Sequence, residues 1–442
     1  MNDASAVLAE ASNRVTPRKS DEERMRSLAE ALMRKTIRAA RKYKEARGVL
    51  MGGSYAKGTW LPKEVDFDIF VKIDASTPER RFEEVGLAVG RDATRGLPAG
   101  KKYAQHPYTE AVAEGVRVNI VPCYDVVKGE WKSAADRSPF HVDLVKNLPE
   151  EEKTEVRLLK RFMKSVGVYG AEIETQGFSG YVAEVLVIRL GSVRNVLSWF
   201  SSMQFRPKGN PLNLPDPVDE GRDLGVAVSA EKLGRMVLAS REFLRRPSEA
   251  FFERMKGRSS RAVRSNVFAV VFSHKRLSED ILWGELRRTS RHLVGHIESR
   301  GFEIARWMAA SNDSDRSAIL LVPEISKLPG LEQRIGPTVD RREDVRAFLD
   351  SNKKESTLVW VDDSARVRVL RPRPYTELTK LLDDIVRGKA GPTGASKEVG
   401  AGLKRSAEVL RGPKLVRVAR SNAWLEAGLK EVTTDAIGTR ES

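Results

Sequence analysis

The sequence predicts an α+β protein of several domains. Three features carry that reading: an apolar strand bearing two acids just after a glycine turn, a run of amphipathic helices from Glu150, and a strand–helix–strand succession beyond Ser259. At 442 residues the chain exceeds one ordinary core. The expected division is a first, sheet-containing domain over 1–147, a helical domain over 148–257, and an α/β body with a tail over 258–442.

Met1 to Lys19 reads as polar and loose. Asp21 to Arg47 reads as a basic helix, with Met25, Leu28, Ala29, Leu32 and Ile37 at helical spacing. A strand ending near Met51 runs into Gly52-Gly53-Ser54, the acidic strand follows, and Arg80 to Arg95 has helical character. Tyr108 to Ala113 and Val116 to Val121 are expected to form a hairpin across Glu114-Gly115, with Pro122 ending the pairing. Helices are expected over Glu151 to Val166, Gly180 to Arg194 and Ala230 to Arg245, with a Gly- and Pro-rich loop at Pro207 to Pro217. Beyond them, Asn266 to Phe272 and Ala318 to Val322 read as strands around a helix from Ile281 to Gly301. A short helix starts at Asp344, Thr357 to Val361 and Val367 to Leu370 suggest a second hairpin, and Gly388 to Gly402 reads as a connector before a basic tail.

Lysine and arginine number 77 against 61 acids, a net charge of +16, and such a surplus attracts polyanions at long range. Solubility alone also explains scattered surface cations, so charge does not decide the partner. Cys123 is the only cysteine, which excludes an internal disulfide or a cysteine zinc cluster; it reads as a small buried hydrophobe in a reducing cytoplasm. No run approaches the roughly 20 apolar residues of a membrane span, and the start lacks a signal-type segment. The expectation is a cytoplasmic protein without a membrane partner. The oligomeric state is open, a homodimer included.

In Val65-Asp66-Phe67-Asp68-Ile69-Phe70-Val71 the alternation of a strand puts Asp66 and Asp68 on one side and Val65, Phe67, Ile69 and Val71 on the other. Residues i and i+2 lie roughly 7 Å apart, so both carboxylates reach a pair of divalent ions roughly 3.5–4 Å apart, the spacing used in phosphoryl transfer. Oxygen ligands suit Mg²⁺. A D-x-D pair alone is weak, being usually an exposed edge face. The upstream Gly-Gly-Ser turn, with Lys57 and Thr59 following, adds backbone donors and a hydroxyl suited to phosphate oxygens.

These residues form the G-S…D-x-D signature of polymerase-β-like nucleotidyltransferases. The blocks Gly53-Ser54-Tyr55-Ala56-Lys57-Gly58-Thr59-Trp60-Leu61, His106-Pro107-Tyr108, Val121-Pro122-Cys123-Tyr124, Asp136 to His141, Glu155 to Lys160, Gly167 to Glu172, Gly177 to Tyr181, Asp216-Pro217-Val218-Asp219 and Ser240 to Phe243 together resemble the archaeal class I CCA-adding enzymes. Weaker matches continue at Gly336-Pro337 and after Arg342. The resemblance implies a polymerase-β-like nucleotidyltransferase palm, a helical central domain and a C-terminal α/β domain with a tail. It implies template-independent addition of C, C and A to the 3′ end of tRNA from CTP and ATP, with Mg²⁺. By position, Asp66 and Asp68 would hold the metals. Gly53, Ser54, Lys57, His141, Lys160 and Tyr169 would hold the triphosphate, and Arg235 would read the base. The C-terminal half would grip the acceptor and T arms. Taken singly, Lys160 and Arg235 read as solvated helix positions, and His106 and His141 as ordinary hydrogen-bonded histidines. Trp360, Tyr375 and Trp424 read as core residues or as contacts to RNA.

One position departs from the family. Its third catalytic and metal-binding carboxylate falls at Asn119, in Val116-Arg117-Val118-Asn119-Ile120-Val121. An amide neither accepts the proton of an attacking hydroxyl nor neutralises a cation as a carboxylate does, and loss of general-base help typically costs about 10²- to 10⁴-fold. Asp125, beyond Pro122 and Cys123, is a poor geometric substitute. Two alternatives therefore stand beside CCA addition: a tRNA-binding variant with impaired catalysis, and another nucleotidyltransferase such as a poly(A) polymerase or a small-molecule enzyme.

Overall fold

The computed structural model describes residues 3–204, 212–253, 261–390 and 396–434. The chain divides into two compact units, one within Met1–Gly257 and one within Arg258–Thr434.

The first unit opens with α1 (Ala4–Val15), where a loose segment was expected. Asp3 caps it by accepting from the Ser5 N–H at 3.1 Å. Val7, Ala11 and Val15 recur every four residues and bury against a helical core, a sparse stripe hidden among polar neighbours. α2 (Lys19–Ala40) stops short of the Arg47 expected, because β1 (Ala46–Gly52) already begins there. α3 (Gly53–Lys57), β2 (Asp66–Asp74), α4 (Glu79–Ala93), β3 (Ala99–Tyr103), β4 (Pro107–Ala113), β5 (Val116–Asp125) and α5 (Ser138–Val145) follow.

The five strands form one sheet in the order β1-β2-β5-β4-β3. β2 and β5 are parallel, and the other pairs are antiparallel. Phe67, Ile69, Val71 and Ile73 of β2 and Val118 and Ile120 of β5 alternate onto the face that joins the core with Phe82, Val85 and Val89 of α4. The expected role of Pro122 needs correction. Pairing with β4 ends at Ile120, but β5 continues along β2 to Asp125, with Pro122 opposite Val71. A proline lacking its N–H is tolerated there because β4 no longer flanks it.

The helical part of this unit comprises α6 (Glu150–Ser165), α7 (Gly180–Leu190), α8 (Val193–Ser202) and α9 (Ala230–Arg245), the last with the bounds expected. One helix was expected over Gly180 to Arg194. Gly191 instead adopts φ 81° and ends α7, and the Ser192 hydroxyl caps α8 on the Asn195 N–H at 3.2 Å. Only 212–217 of the expected Pro207 to Pro217 loop falls within the described residues. Phe162, Phe178, Phe200 and Phe243 are fully buried in this core.

In the second unit, α10 (Arg261–Ser265) precedes β6 (Phe268–Ser273), α11 (Glu279–Glu298), β7 (Ile304–Ser311) and β8 (Arg316–Pro323). β9 (Leu331–Thr338), α12 (Arg342–Asn352), β10 (Leu358–Val361), β11 (Arg366–Pro372) and α13 (Leu378–Val386) come next. α14 (Lys397–Ser406), β12 (Glu408–Arg411), α15 (Gly412–Arg420) and α16 (Ala423–Val432) complete it. The Gly388 to Gly402 connector thus contains the start of α14, with 391–395 outside the described residues, as are the tail residues 435–442. A sheet β12-β6-β8-β7 is covered on both faces: Phe268, Val270 and Phe272 meet α11, α13 and α14, while Ala269 and Val271 meet α15 and α16. The expected hairpin is β10-β11, extended by β9. Cys123 is buried, Trp424 of α16 packs against the core, and the Tyr375 hydroxyl donates to Asp384. No helix among the described residues is long and apolar enough to cross a membrane.

Phe162 lies beside Phe243, Phe251 and Phe252, with ring centroids within 5.9 Å. Phe162→Ala is expected to cost about 3–5 kcal/mol of unfolding free energy, measured by urea denaturation.

Candidate active site

The parallel register between β2 and β5 sets Asp66 opposite Arg117 and Asp68 opposite Asn119. Opposed residues share a face, so these four side chains project together, away from the apolar core. The Asn119 amide donates to Asp68 Oδ1 at 2.9 Å, and Arg117 Nε lies 3.4 Å from Asp66 Oδ1. The Asn119 side-chain oxygen is buried without a hydrogen-bond partner. Burial raises the Asp68 carboxyl above its ordinary range; the Asn119 hydrogen bond opposes that, Asp66 adds to it, and the fields of Lys57 and Arg117 lower it.

The glycine turn closes on the same carboxylate. Gly53 begins α3 at φ 63°, and a Cβ there would stand 2.1 Å from Asp68 Oδ2. Only glycine permits that backbone and that approach. Gly58 ends α3 at φ 72° in the left-handed conformation. Ser54 is half-buried in this turn.

Four residues beyond Gly53 on α3, Lys57 lies on the same helical face, and its ammonium donates to Glu184 Oε2 of α7 at 2.7 Å. Lys160 of α6 donates to the other oxygen, Oε1, at 2.8 Å, and to Thr59 Oγ1 at 2.9 Å and the Thr59 carbonyl at 3.3 Å. Thr59 in turn donates to Glu184 Oε1 at 2.6 Å. All four side chains are buried. Burial by itself would raise the Glu184 carboxyl, but Lys160 and Lys57 outweigh it and hold it below the ordinary range. Burial lowers Lys160, against the pull of Glu184. Tyr169 stands nearby: a Cβ at Gly180 would meet its hydroxyl at 2.7 Å and Lys160 Cε at 3.4 Å. Burial pushes the Tyr169 phenol up.

His141, on α5, stacks on Tyr181 at 3.7 Å between ring centroids, with Nε2 3.2 Å from Asp216 Oδ2. Tyr181 donates to Asp216 Oδ1 at 2.7 Å, and Lys57 lies over the Tyr181 ring at 4.9 Å. Arg235, half-buried on α9, packs on the backbone of Gly167, where a Cβ would meet its Nη2 at 3.0 Å.

The sequence-predicted residues thus form connected groups within the first unit. Asp66, Asp68, Asn119 and Gly53 meet at one end of the sheet. Lys57, Lys160 and Tyr169 surround Glu184, and Lys57 links them through Tyr181 to His141. Arg235 lies by the turn that leads into Tyr169. His106 instead belongs with Glu79 and Glu83, its Nδ1 3.2 Å from Glu83 Oε1.

Sequence reasoning missed Glu184, Asp216 and Arg117. The signal for Glu184 was a lone acid within the apolar run Tyr181 to Leu190, a position that demands a buried partner. Arg117 had no such signal, because only the β2–β5 register brings it to Asp66.

Residues 33–141 match the nucleotidyltransferase domain, 154–253 the second domain of tRNA nucleotidyltransferase, and 264–412 the C-terminal domain of CCA-adding enzyme. The CCA-adding enzyme of Pyrobaculum neutrophilum is 36% identical over 423 residues, covering 92% of this chain and 99% of its own. That of Pyrobaculum islandicum is 35% identical, covering 86% and 93%, and that of Halorubrum lacusprofundi 34% identical, covering 88% and 91%. The chain belongs to the CCA-adding enzyme family. It is accordingly a tRNA nucleotidyltransferase, with the family's palm, helical and C-terminal parts.

Within this member of the family, burial lowers the His141 imidazole to about 4, although the Asp216 charge pulls it upward. The unfolded chain therefore binds a proton that the folded site refuses, and stability falls as pH drops from about 6.5 towards 4. His141→Gln is expected to remove up to roughly 3 kcal/mol of that fall, measured as the difference between the two proteins' urea-unfolding profiles over the same pH range.

Proposed function

We propose that this chain adds C, C and A to the 3′ end of tRNA without a template, using CTP and ATP in the cytoplasm. In this reading 1–147 is the catalytic domain, 148–257 holds the nucleotide, and 258–442 grips the acceptor and T arms through phosphates and 2′-hydroxyls. The single observation that carries it is the row Asp68–Asn119 with Asp66 beside it, closed by Gly53, in a chain of this family.

The donor set fits Mg²⁺: two carboxylates, and a buried amide oxygen that lacks any other partner. Asp66, Asp68 and Asn119 would hold the ion. When bound, it supplies charge stabilisation for nucleotidyl transfer. The chain's own residues bind and orient the nucleotide. Lys57 supplies positive charge beside Asp68, the Ser54 turn supplies a hydroxyl, and Lys160, Tyr169 and His141 shape the surrounding wall. Arg235 presents a guanidinium suited to a base edge, where a mismatched buried donor or acceptor costs about 1–3 kcal/mol.

A second reading, tRNA binding with impaired turnover, is favoured by Asn119 itself. Its amide donates to Asp68 and so cannot accept a proton there. The deciding experiment incubates the protein with tRNA lacking its terminal triplet, Mg²⁺, and CTP or ATP singly and together. Ordered incorporation of two C residues and one A supports CCA addition; a run of A from ATP alone would instead mark a poly(A) polymerase. Salt-sensitive tRNA binding without incorporation supports the second reading.

Asn119→Asp is expected to raise the incorporation rate about tenfold or more, and an unchanged or lower rate refutes the account of this position. Asp68→Ala is expected to abolish incorporation while the far-UV circular dichroism stays native; retained turnover would remove this carboxylate from the chemistry.

A further inference from the structure

The row that holds Asp68 continues across the sheet onto β4 and β3. Asp68, Asn119, Glu110 and Gly100 stand opposite one another on successive strands, and the neighbouring row runs Asp66, Arg117, Val112. Directly opposed residues share a face, so Glu110 projects on the side of Asp66 and Asp68. In the second row Arg117 already faces Asp66, at 3.4 Å. In the first, a neutral amide separates two acids: it directs its N–H to Asp68 and leaves its oxygen buried without a partner. The Glu110 side chain is 26% exposed, and among the described residues its ion pair is with Lys102, at 4.0 Å, beyond hydrogen-bond reach. Gly100, opposite it on β3, has no side chain, and a Cβ there would meet nothing within 4 Å. Glu110 is therefore an acid on the catalytic face with room to move and no short contact to give up.

We propose that Glu110 supplies the negative charge that position 119 lacks, holding the cation across Asn119 through one of the ion's waters. This rests on the nucleotidyl-transfer reading above and adds a residue to the set Asp66, Asp68 and Asn119. Strands lie about 4.8 Å apart, so the backbones of Asp68 and Glu110 are roughly 10 Å apart. That span accommodates Mg²⁺, with oxygen ligands at about 2.0–2.1 Å, together with one of the several waters it keeps. Glutamate also reaches about 1.5 Å further than aspartate, by one carbon–carbon bond. Asp66 and Asp68 would ligate directly, Asn119 would offer an oxygen without charge, and Glu110 a charge without direct ligation. A charge acting through water is weaker than a ligating one, which is why Asn119→Asp is still expected to accelerate incorporation.

The test titrates Mn²⁺ into the full chain without nucleotide and reads the free ion by electron paramagnetic resonance, with melting temperatures recorded in parallel. Only binding lost in Asp68→Ala is counted, because Glu79, Glu83 and His106 form a separate group able to hold an ion. Glu110→Gln, uncharged and of the same shape, is expected to raise the Mn²⁺ Kd about fivefold. In the Asn119→Asp background the same change is expected to move Kd by less than about twofold, because a carboxylate at 119 then ligates directly. An unchanged Kd in the native background, or equal losses in both, would make Glu110 a bystander or a remote charge and overturn the proposal. Should Asn119→Asp fail to fold, Glu110→Asp decides, since it keeps the charge and shortens the arm: a raised Kd upholds the reach across Asn119, and native affinity overturns it. Glu114→Gln removes one charge from the turn between β4 and β5 and is expected to leave Kd within about twofold; a loss equal to that of Glu110→Gln would reduce the effect to bulk charge. If the native chain binds no Mn²⁺ at Asp68, the cation site of the nucleotidyl-transfer reading fails as well. Native binding that ignores Glu110 sinks only the role of Glu110.

Discussion

The in-register parallel pairing of β2 with β5 is the constraint from which the acidic centre follows. Each strand alone offers alternating side chains, and neither has a site. Side by side, with Asp68 opposite Asn119 and Asp66 opposite Arg117, they place two acids, an amide and a guanidinium in one patch. A slip of one residue would turn every member into the apolar core. That slip is blocked by Phe67, Ile69, Val118 and Ile120, which fill the opposite face completely. The chemistry of one side is thus held in place by the hydrophobic packing of the other.

A second constraint joins the glycine turn to the helices. Two lysines, a threonine and Glu184 are removed from water together, which is tolerable only because each charge meets an opposite one at hydrogen-bond distance. Isolated, any of them would be too costly to bury. Assembled, they fix α3, and with it Gly53 against Asp68, relative to α6 and α7. The same logic governs His141, where burial keeps the ring neutral and Tyr181 and Asp216 supply its partners. Electrostatic cost here translates into positional precision.

Much of this was legible in the sequence, and the parts that were not share a cause. The alternation around Asp66 and Asp68, the bounds of α9 and the β10–β11 hairpin follow from local periodicity. The G-S…D-x-D order and the blocks around it identified the family. Residues whose role arises from long-range pairing stayed hidden. Arg117 needs the register of two strands separated by a helix and a hairpin, and Glu184 needs Lys57 and Lys160 brought to it from 127 and 24 residues away. α1 escaped because its buried stripe is three residues long, and the break at Gly191 because an apolar run on both sides masked a single glycine. Pro122 misled for a related reason: its effect on a strand is set by which edge still has a neighbour.

The same register bears on the departure at position 119. Across the sheet, Asn119 faces Asp68 on one side and Glu110 of β4 on the other. Directly opposed residues share a face, so Glu110 projects with the acid pair while Thr109 and Ala111 turn into the core. Its nearest ion-pair partner is Lys102, at 4.0 Å. Glu110 on β4 thus shares this side of the sheet with Asp66 and Asp68, with the neutral Asn119 amide between it and Asp68. A neutral amide at position 119 adds no repulsion at Asp68 and instead donates a hydrogen bond to it. It also lets Arg117 stand against Asp66 without a competing acid beside it. The electrostatics are those of a quieter acid pair, each carboxylate already met by a protein donor. An incoming cation must displace or share those donors, so the β2–β5 register sets the terms on which this acid pair accepts one.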